Sequence, residues 1–269
     1  MDLNLRGKTA IVTGASQGIG KEIARLLHSE GVHIVMVSQH ADTLEKAARA
    51  ITGQSSPAGG RKPPAIHPIA ADLTMRAEVE RIGQQAIARL GHVDILVNNA
   101  ARARTGNFFD MDEAELQEVW QVKALGYVRM VRAIAPHMME RGTGSIINVV
   151  GSTARTPTED FIVGSMVNAA LVSFTRGISR ELARRGVRIN AISPGWTLTE
   201  RQERSFEMQA AAQGAPMSQI MSQHARGIPL KRLVSTGELA SLAVLLASDQ
   251  FPALTGEEII VDGGATPSM

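Results

Sequence analysis

Short apolar runs rich in β-branched residues alternate along this chain with longer segments of helical spacing. The short runs are Ala10–Thr13, Val32–Val37, Ala65–Ala71, Val93–Val97, Ser145–Val150, Val187–Ile192 and Glu258–Val261. The helical segments include Asp42–Ile51, Arg76–Leu90, Asp112–Met139 and Ser165–Arg184. This alternation predicts an α/β fold, in which right-handed crossovers place helices on both faces of a parallel sheet.

The pattern predicts a single domain over residues 1–269, because no shift in composition divides the chain. A Gly-, Ser- and Pro-rich patch, Gly53–Pro64, predicts an exposed loop that lengthens the second crossover. The polar segment Arg201–Arg226 predicts helix. Ligands bind above the carboxyl ends of the strands in such folds, so residues 200–228 are a candidate substrate lid. A purely structural helical insertion is the alternative.

Composition narrows the class of protein further. The chain has 44% hydrophobic residues, a net charge of only +2 and no cysteine. These values disfavour nucleic acid as a partner and exclude disulfides and thiolate metal sites. The scattered histidines show no metal-ligand spacing, so no metal site is expected. We expect no membrane span and no signal peptide, and therefore a cytoplasmic protein.

A glycine-rich turn carries the strongest chemical signal. The sequence Thr13-Gly14-Ala15-Ser16-Gln17-Gly18-Ile19-Gly20 lies between the first predicted strand and a helical pattern. Glycines there let the backbone approach a pyrophosphate, and the helix N-terminus offers free N–H groups and a positive dipole end. The turn therefore predicts a dinucleotide cradle.

The chain resembles the short-chain dehydrogenases/reductases over essentially its full length. The matching motifs are Thr13-Gly14-(x)3-Gly18-Ile19-Gly20, Asp72-Leu73, Asn98-Asn99-Ala100, Pro194-Gly195 with Thr197 and Thr199, and Val261-Asp262-Gly263-Gly264. The resemblance implies a single Rossmann-type domain with a doubly wound, seven-stranded parallel sheet. It also implies a homodimer or homotetramer and an NAD(P)-dependent oxidoreductase.

The resemblance further implies which residues bind the cofactor. They are Gly14, Ser16, Gln17, Gly18, Ile19, Gly20, Ser38, Gln39, His40, Asp72, Leu73, Asn99, Ala100, Ala101, Pro194, Gly195 and Thr197. The end of the second strand sets the choice between NAD and NADP, because an acidic residue there repels a 2′-phosphate. Ser38, Gln39 and His40 provide no carboxylate. We therefore expect NADP to be favoured over NAD, although the arginine common in NADP-dependent relatives is absent beside them.

The catalytic positions of the family are altered in this chain. Relatives use a tyrosine as acid or base and a lysine four residues later that lowers its pKa. The alignment places Gly164 at the tyrosine, Asn168 at the lysine, Gly151 at the substrate-binding serine and Lys123 at the asparagine of a preceding helix. The Tyr-x-x-x-Lys motif is therefore missing.

Two of these changes compensate for one another. The asparagine has become Lys123 and the lysine has become Asn168, so one ammonium and one amide are kept with their anchor points exchanged. We expect Lys123 to orient the cofactor, polarise a carbonyl or donate a proton. Ser152 could still bond a substrate oxygen. Tyr127, the single tyrosine, is a further candidate acid or a packing residue.

The residues leave three functions open. The first is an oxidoreductase that transfers a hydride to or from a carbonyl or alcohol with an atypical acid/base site. The second is a non-catalytic dinucleotide-binding or regulatory protein, and the third is a lyase or isomerase that reuses the pocket. Arg102, Arg104 and Arg155 flank the expected substrate position, so an anionic small molecule is a candidate substrate.

Overall fold

The computed structural model describes residues 2–54, 63–102 and 105–267. Seven strands form one parallel sheet: β1 (Thr9–Thr13), β2 (His33–Ser38), β3 (Ile66–Ala70), β4 (Ile95–Asn98), β5 (Gly144–Val149), β6 (Val187–Pro194) and β9 (Glu258–Val261). Two short strands, β7 (Thr197–Leu198) and β8 (Val234–Ser235), pair separately. The sheet order is β3-β2-β1-β4-β5-β6-β9, which confirms the predicted doubly wound Rossmann-type fold.

Nine α-helices surround the sheet in the described part of the chain. They are α1 (Gly18–Ser29), α2 (Ala41–Gly53), α3 (Arg76–Leu90), α4 (Glu113–Val119), α5 (Gly126–Arg141), α6 (Ile162–Ala183), α7 (Glu200–Gln213), α8 (Met217–Ala225) and α9 (Thr236–Ala247).

Successive side chains of one strand enter opposite cores. Val12 packs among α1, α2 and α9 residues, whereas Ile11 packs among α3 and α5 residues. Near-continuous burial along β1 and β5 is the pattern of a parallel sheet covered on both faces. The sheet therefore carries helices on both faces, as the sequence predicts.

The predicted helix Asp112–Met139 is interrupted. A π-helical turn, Trp120–Leu125, separates α4 from α5. A π turn widens the helix and re-aims the side chains that it carries, and such turns recur at functional sites. Here the turn carries Lys123, which is buried together with Ala124.

The candidate lid, residues 200–228, contains α7 and α8 with a small core of their own formed by Phe206, Ala210 and Ile220. The predicted loop 53–64 lies only partly within the description: Gly53 ends α2, and residues 55–62 lie outside the described residues.

One helical stretch, Glu159–Ala183, is long and apolar enough to cross a membrane by length and composition, with a mean hydropathy of 1.4. The apolar runs of the sequence predicted no such segment. In the fold, Val167 and Leu171 of this stretch are buried against Val150 and Ala191. The stretch is therefore a core helix that packs beside β6, and burial of its apolar face within the fold accounts for its apolar composition.

Candidate active site

The residues predicted to bind the cofactor all lie at or just after the carboxyl ends of strands. The glycine-rich turn follows β1, Asp72 and Leu73 follow β3, and Asn99 to Ala101 follow β4. Ser38 and Pro194 are the last residues of β2 and β6, and the other predicted residues of these two segments come directly after them. The strand order reverses between β1 and β4, and ligands of doubly wound sheets bind at that reversal. The structure thus gathers these residues along one edge of the sheet.

The glycine-rich turn is packed so closely at Gly14 and Gly20 that side chains cannot replace these two glycines; a Cβ on Gly14 would lie 2.8 Å from Ala100 Cα. A Cβ on Gly20 would lie 2.4 Å from Asn99 Nδ2 and 2.5 Å from the Gly14 carbonyl oxygen. Asn99 Nδ2 itself donates to the carbonyls of Thr13 and Gly14, each at 3.2 Å. The β4 end therefore fastens the turn in place, and the sequence motif reflects this backbone contact.

A carboxylate from the candidate lid occupies part of the turn. Gly18 N–H donates to Glu200 Oε2 at 2.7 Å, and Lys21 Nζ lies 3.3 Å from Glu200 Oε1. Burial works against the charge, but hydrogen bonds from backbone N–H groups and from Lys21 hold the pKa of Glu200 below its ordinary value. The helix N-terminus therefore accepts an anion, as the binding of a phosphate requires.

Lys123 reaches from the π-helical turn into the space between β5 and α6. Its Nζ donates to Asn168 Oδ1 at 2.7 Å and to the carbonyl oxygen of Val150. The exchanged lysine and amide are therefore in direct contact. Of the three N–H groups of an ammonium, the third has no partner among the residues that the structure describes.

The surroundings of Lys123 disfavour its charge. Burial lowers the pKa of Lys123 from its ordinary value of 10.5 to about 7, and the positive charge of Arg201, at the start of α7, adds to the effect. A lysine with a pKa near neutrality can donate and accept a proton under ordinary conditions. The sequence offered no sign of Arg201 at this place.

Asn168 extends the contact to a third residue. Because a lysine ammonium only donates, the amide oxygen faces Lys123, and Asn168 Nδ2 then donates to Thr153 Oγ1 at 2.8 Å. A Cβ on Gly151 would lie 2.5 Å from Asn168 Nδ2, at a backbone φ of +153°. The serine that the family resemblance implies at this position would therefore clash with the Asn168 amide as Lys123 and Thr153 hold it.

The ring of Phe161 lies against Gly164, the position at which the family has its tyrosine. A Cβ on Gly164 would lie 2.2 Å from two ring carbons of Phe161. Phe161 immediately precedes α6, and its carbonyl oxygen accepts from Ser165 Oγ at 2.9 Å. Phe161 therefore occupies the space of a tyrosine side chain at position 164, a role that its sequence position did not reveal.

Tyr127 is a packing residue in this structure. Its side chain is fully buried, its hydroxyl donates to the Val149 carbonyl oxygen at 2.8 Å, and burial raises the pKa of its hydroxyl. A phenol held in this way is a poor proton donor. Ser152 is also buried, but it begins the turn Ser152–Ala154 beside Thr153 and so lies close to the Lys123 network.

Arg102 and Arg155 do not converge on one substrate position. Arg155 pairs with Glu258 at 2.6 Å, and Ser193 Oγ donates to the same carboxylate at 2.7 Å. Arg102 pairs with Glu118. Arg104 lies outside the described residues. Glu258 is only 4% exposed and fixes Arg155 to the last strand, whereas the Arg102–Glu118 pair is exposed on both sides.

Comparison with known proteins supports the interpretation of the fold and the cradle. The family described as enoyl-(acyl carrier protein) reductase matches residues 14–266. Oxidoreductase UcpA of Salmonella typhimurium is 35% identical over 97% of this chain and 95% of its own. The 2,3-dihydro-2,3-dihydroxybenzoate dehydrogenase of Bacillus subtilis is 33% identical over 97% of each chain.

Among solved structures, L-sorbose reductase of Gluconobacter frateurii, complexed with NADPH and L-sorbose, superposes with a TM-score of 0.94. It is 29% identical, and all of both chains is covered. The sheet order, the glycine-rich turn and these relatives lead to one conclusion. The chain belongs to the short-chain dehydrogenase/reductase family of NAD(P)-dependent oxidoreductases.

Proposed function

We propose that the protein is an NADPH-preferring carbonyl reductase, or the corresponding alcohol dehydrogenase, in which Lys123 replaces the tyrosine as the acid or base. The observation that carries this proposal is the contact of buried Lys123 Nζ with Asn168 Oδ1 at 2.7 Å. Both positions have changed chemically, yet an ammonium and an amide still meet. The pair therefore supports a rebuilt site over the erosion of an unused one.

The residues predicted for the cofactor fit a dinucleotide. The N–H groups of the glycine-rich turn would hold its pyrophosphate, Asp72 its adenine, Asn99 to Ala101 its ribose region, and Pro194, Gly195 and Thr197 would border the nicotinamide. A bound nicotinamide supplies or accepts the hydride. The uncharged end of β2, Ser38 to His40, and the NADPH in the related sorbose reductase support NADP over NAD.

Lys123 would handle the proton that accompanies the hydride. In reduction, the carbonyl oxygen gains negative charge, and the free N–H of Lys123 donates its proton there, which leaves a neutral amine that solvent protonates again. In oxidation, the neutral amine accepts the hydroxyl proton. Asn168 Oδ1 and the Val150 carbonyl hold Nζ in one place during either step.

Ser152 and Asn168 would assist in this site, Ser152 by bonding the substrate oxygen and Asn168 by orienting the lysine. Support for an anionic substrate comes from Lys123 and Arg201, whose positive charges interact. Residues 200–228 would form the substrate lid.

We also propose that the protein is cytoplasmic and forms a homodimer or homotetramer.

The test is NADPH oxidation with a panel of carbonyl compounds that includes L-sorbose, simple diketones and 2-oxo acids. For any compound that is reduced, kcat/KM should fall as the pH rises through about 7, the pKa of Lys123. Lys123→Met should lower kcat by about 10²- to 10⁴-fold, the usual contribution of a positioned acid.

Tyr127→Phe is the matched control, because it removes the other candidate acid. It should leave the pH profile unchanged. Unchanged turnover in Lys123→Met would refute the role of the lysine. NADPH binding without turnover of any compound would instead favour the non-catalytic alternative.

A further inference from the structure

The end of β2 presents hydroxyl groups where a cofactor that carries a 2′-phosphate would lie. Ser38 ends the strand, and its Oγ lies 3.0 Å from Ser16 Oγ of the glycine-rich turn. Either hydroxyl can donate to an anion. Gln39 and His40 follow without a carboxylate, so the end of β2 itself carries no negative charge that would repel a phosphate. It also lacks a positive charge of its own.

A guanidinium from another strand end supplies that charge. Arg102, which follows β4, reaches across, and its Nη2 donates to Gln39 Oε1 at 2.8 Å. Gln39 Nε2 in turn donates to Asp72 Oδ2 at 3.1 Å. The sequence places Arg102 far from β2, and only the fold shows that it stands beside Gln39.

Arg102 has an ion-pair partner that another anion could replace. Its other nitrogen, Nη1, bonds the Glu118 carboxylate, and both side chains are 47% exposed. Exposed ion pairs contribute little to stability, so replacing one anion by another at this guanidinium costs little. A phosphate monoester carries nearly two negative charges and suits the planar fork of arginine, whereas Glu118 carries one.

We propose that Arg102, aided by the hydroxyls of Ser16 and Ser38, binds the 2′-phosphate of NADPH and sets the preference for NADPH over NADH. The inference rests on the proposed function, since it requires a dinucleotide in the cradle. Glu118 holds the guanidinium in place while no phosphate is present. The specificity determinant thus comes from the β4 end instead of the β2 end.

Fluorescence titration of the intact protein with NADPH and with NADH tests this inference without any substrate. Arg102→Gln should weaken NADPH binding by about tenfold, the usual effect of one charge-assisted hydrogen bond, and change NADH binding by less than about twofold. Glu118→Gln should strengthen NADPH binding and leave NADH binding unchanged, because it frees the guanidinium. Adenosine 2′,5′-bisphosphate should compete better than 5′-AMP only while Arg102 is present.

Arg232→Gln is the matched control, since Arg232 is also exposed and paired with a carboxylate, Glu238. It should alter neither titration. Equal weakening of NADPH and NADH by Arg102→Gln, or no weakening of either, would overturn the inference while the proposed function stands. If the unaltered protein bound neither dinucleotide, the inference and the proposed function would both be wrong.

Discussion

Replacing Lys123 by methionine tests whether the buried ammonium lowers the free energy of unfolding. Burial lowers the pKa of Lys123 from 10.5 to about 7. Between about pH 7 and pH 10.5, Lys123 is protonated in the unfolded chain but not in the folded chain. The free energy of unfolding therefore rises with pH over this range. The slope approaches about 1.4 kcal/mol per pH unit, and the whole rise amounts to about 5 kcal/mol as an upper bound. This contribution is fully present above pH 10.5 and is lost as the pH falls through about 7.

The variant has a second, pH-independent effect. Methionine has a similar length but cannot donate, so the Val150 carbonyl and Asn168 Oδ1 lose a partner. An unsatisfied buried acceptor costs about 1–3 kcal/mol. The stability curves of the two proteins should therefore cross. Lys123→Met should be similar to or more stable than the unaltered protein near about pH 6 and less stable near about pH 10.

Urea unfolding of both proteins without cofactor, at steps from about pH 6 to about pH 10, measures this difference directly. All other titrating groups are shared by the two proteins, so their contributions cancel to first order when one curve is subtracted from the other. Lys123→Gln, which can still donate to Asn168, separates the loss of charge from the loss of the hydrogen bond. A difference that stays constant with pH would show that the lysine keeps an ordinary pKa, and the reasoning about its proton transfer would fail.

Three further predictions address other contacts. Gly164→Tyr should destabilise the protein by at least about 2 kcal/mol, because its side chain meets the Phe161 ring, and adding Phe161→Ala should restore much of the loss in thermal unfolding. Glu200→Gln should strengthen NADPH binding several-fold in fluorescence titration, since a carboxylate no longer competes for the Gly18 N–H; unchanged affinity would contradict that competition. Tyr127→Phe should cost about 1–3 kcal/mol in urea unfolding, because a buried carbonyl of β5 loses its donor, and a variant as stable as the parent would show that water replaces the hydroxyl.

The fold could be predicted from local patterns because they report backbone requirements. The turn Thr13–Gly20 needs glycine for close approach, and the spacing of its glycines is enough to identify the cradle. The π-helical turn at Trp120–Leu125 could not be predicted, since its residues have ordinary helical spacing. That turn places Lys123 in the site, so the alignment found the residue but not its surroundings.

Pairings between distant residues were also beyond the sequence. The sequence places Arg155 among the arginines expected to flank the substrate, but its partner Glu258 lies on the last strand of the sheet. Arg102 and Gln39 meet across the reversal of strand order, and Glu200 reaches the turn from the lid. The charge of a residue in the sequence does not predict which partner the fold brings near it. Each partner in turn decides whether the residue is free to bind a ligand.

The altered catalytic positions depend on one another, which argues for a rebuilt site over a decayed one. Gly151 leaves room for the Asn168 amide, and that amide accepts from Lys123. Gly164 leaves room for Phe161. Random loss would leave cavities or unpaired polar atoms at these places, and either would cost stability. Instead, each missing side chain has a neighbour that uses its space or its hydrogen bond. Restoring a single family residue should therefore do harm, and restoring function in the family's form would require changing the lysine, the asparagine and both glycines together with Phe161, whose ring fills the space at position 164.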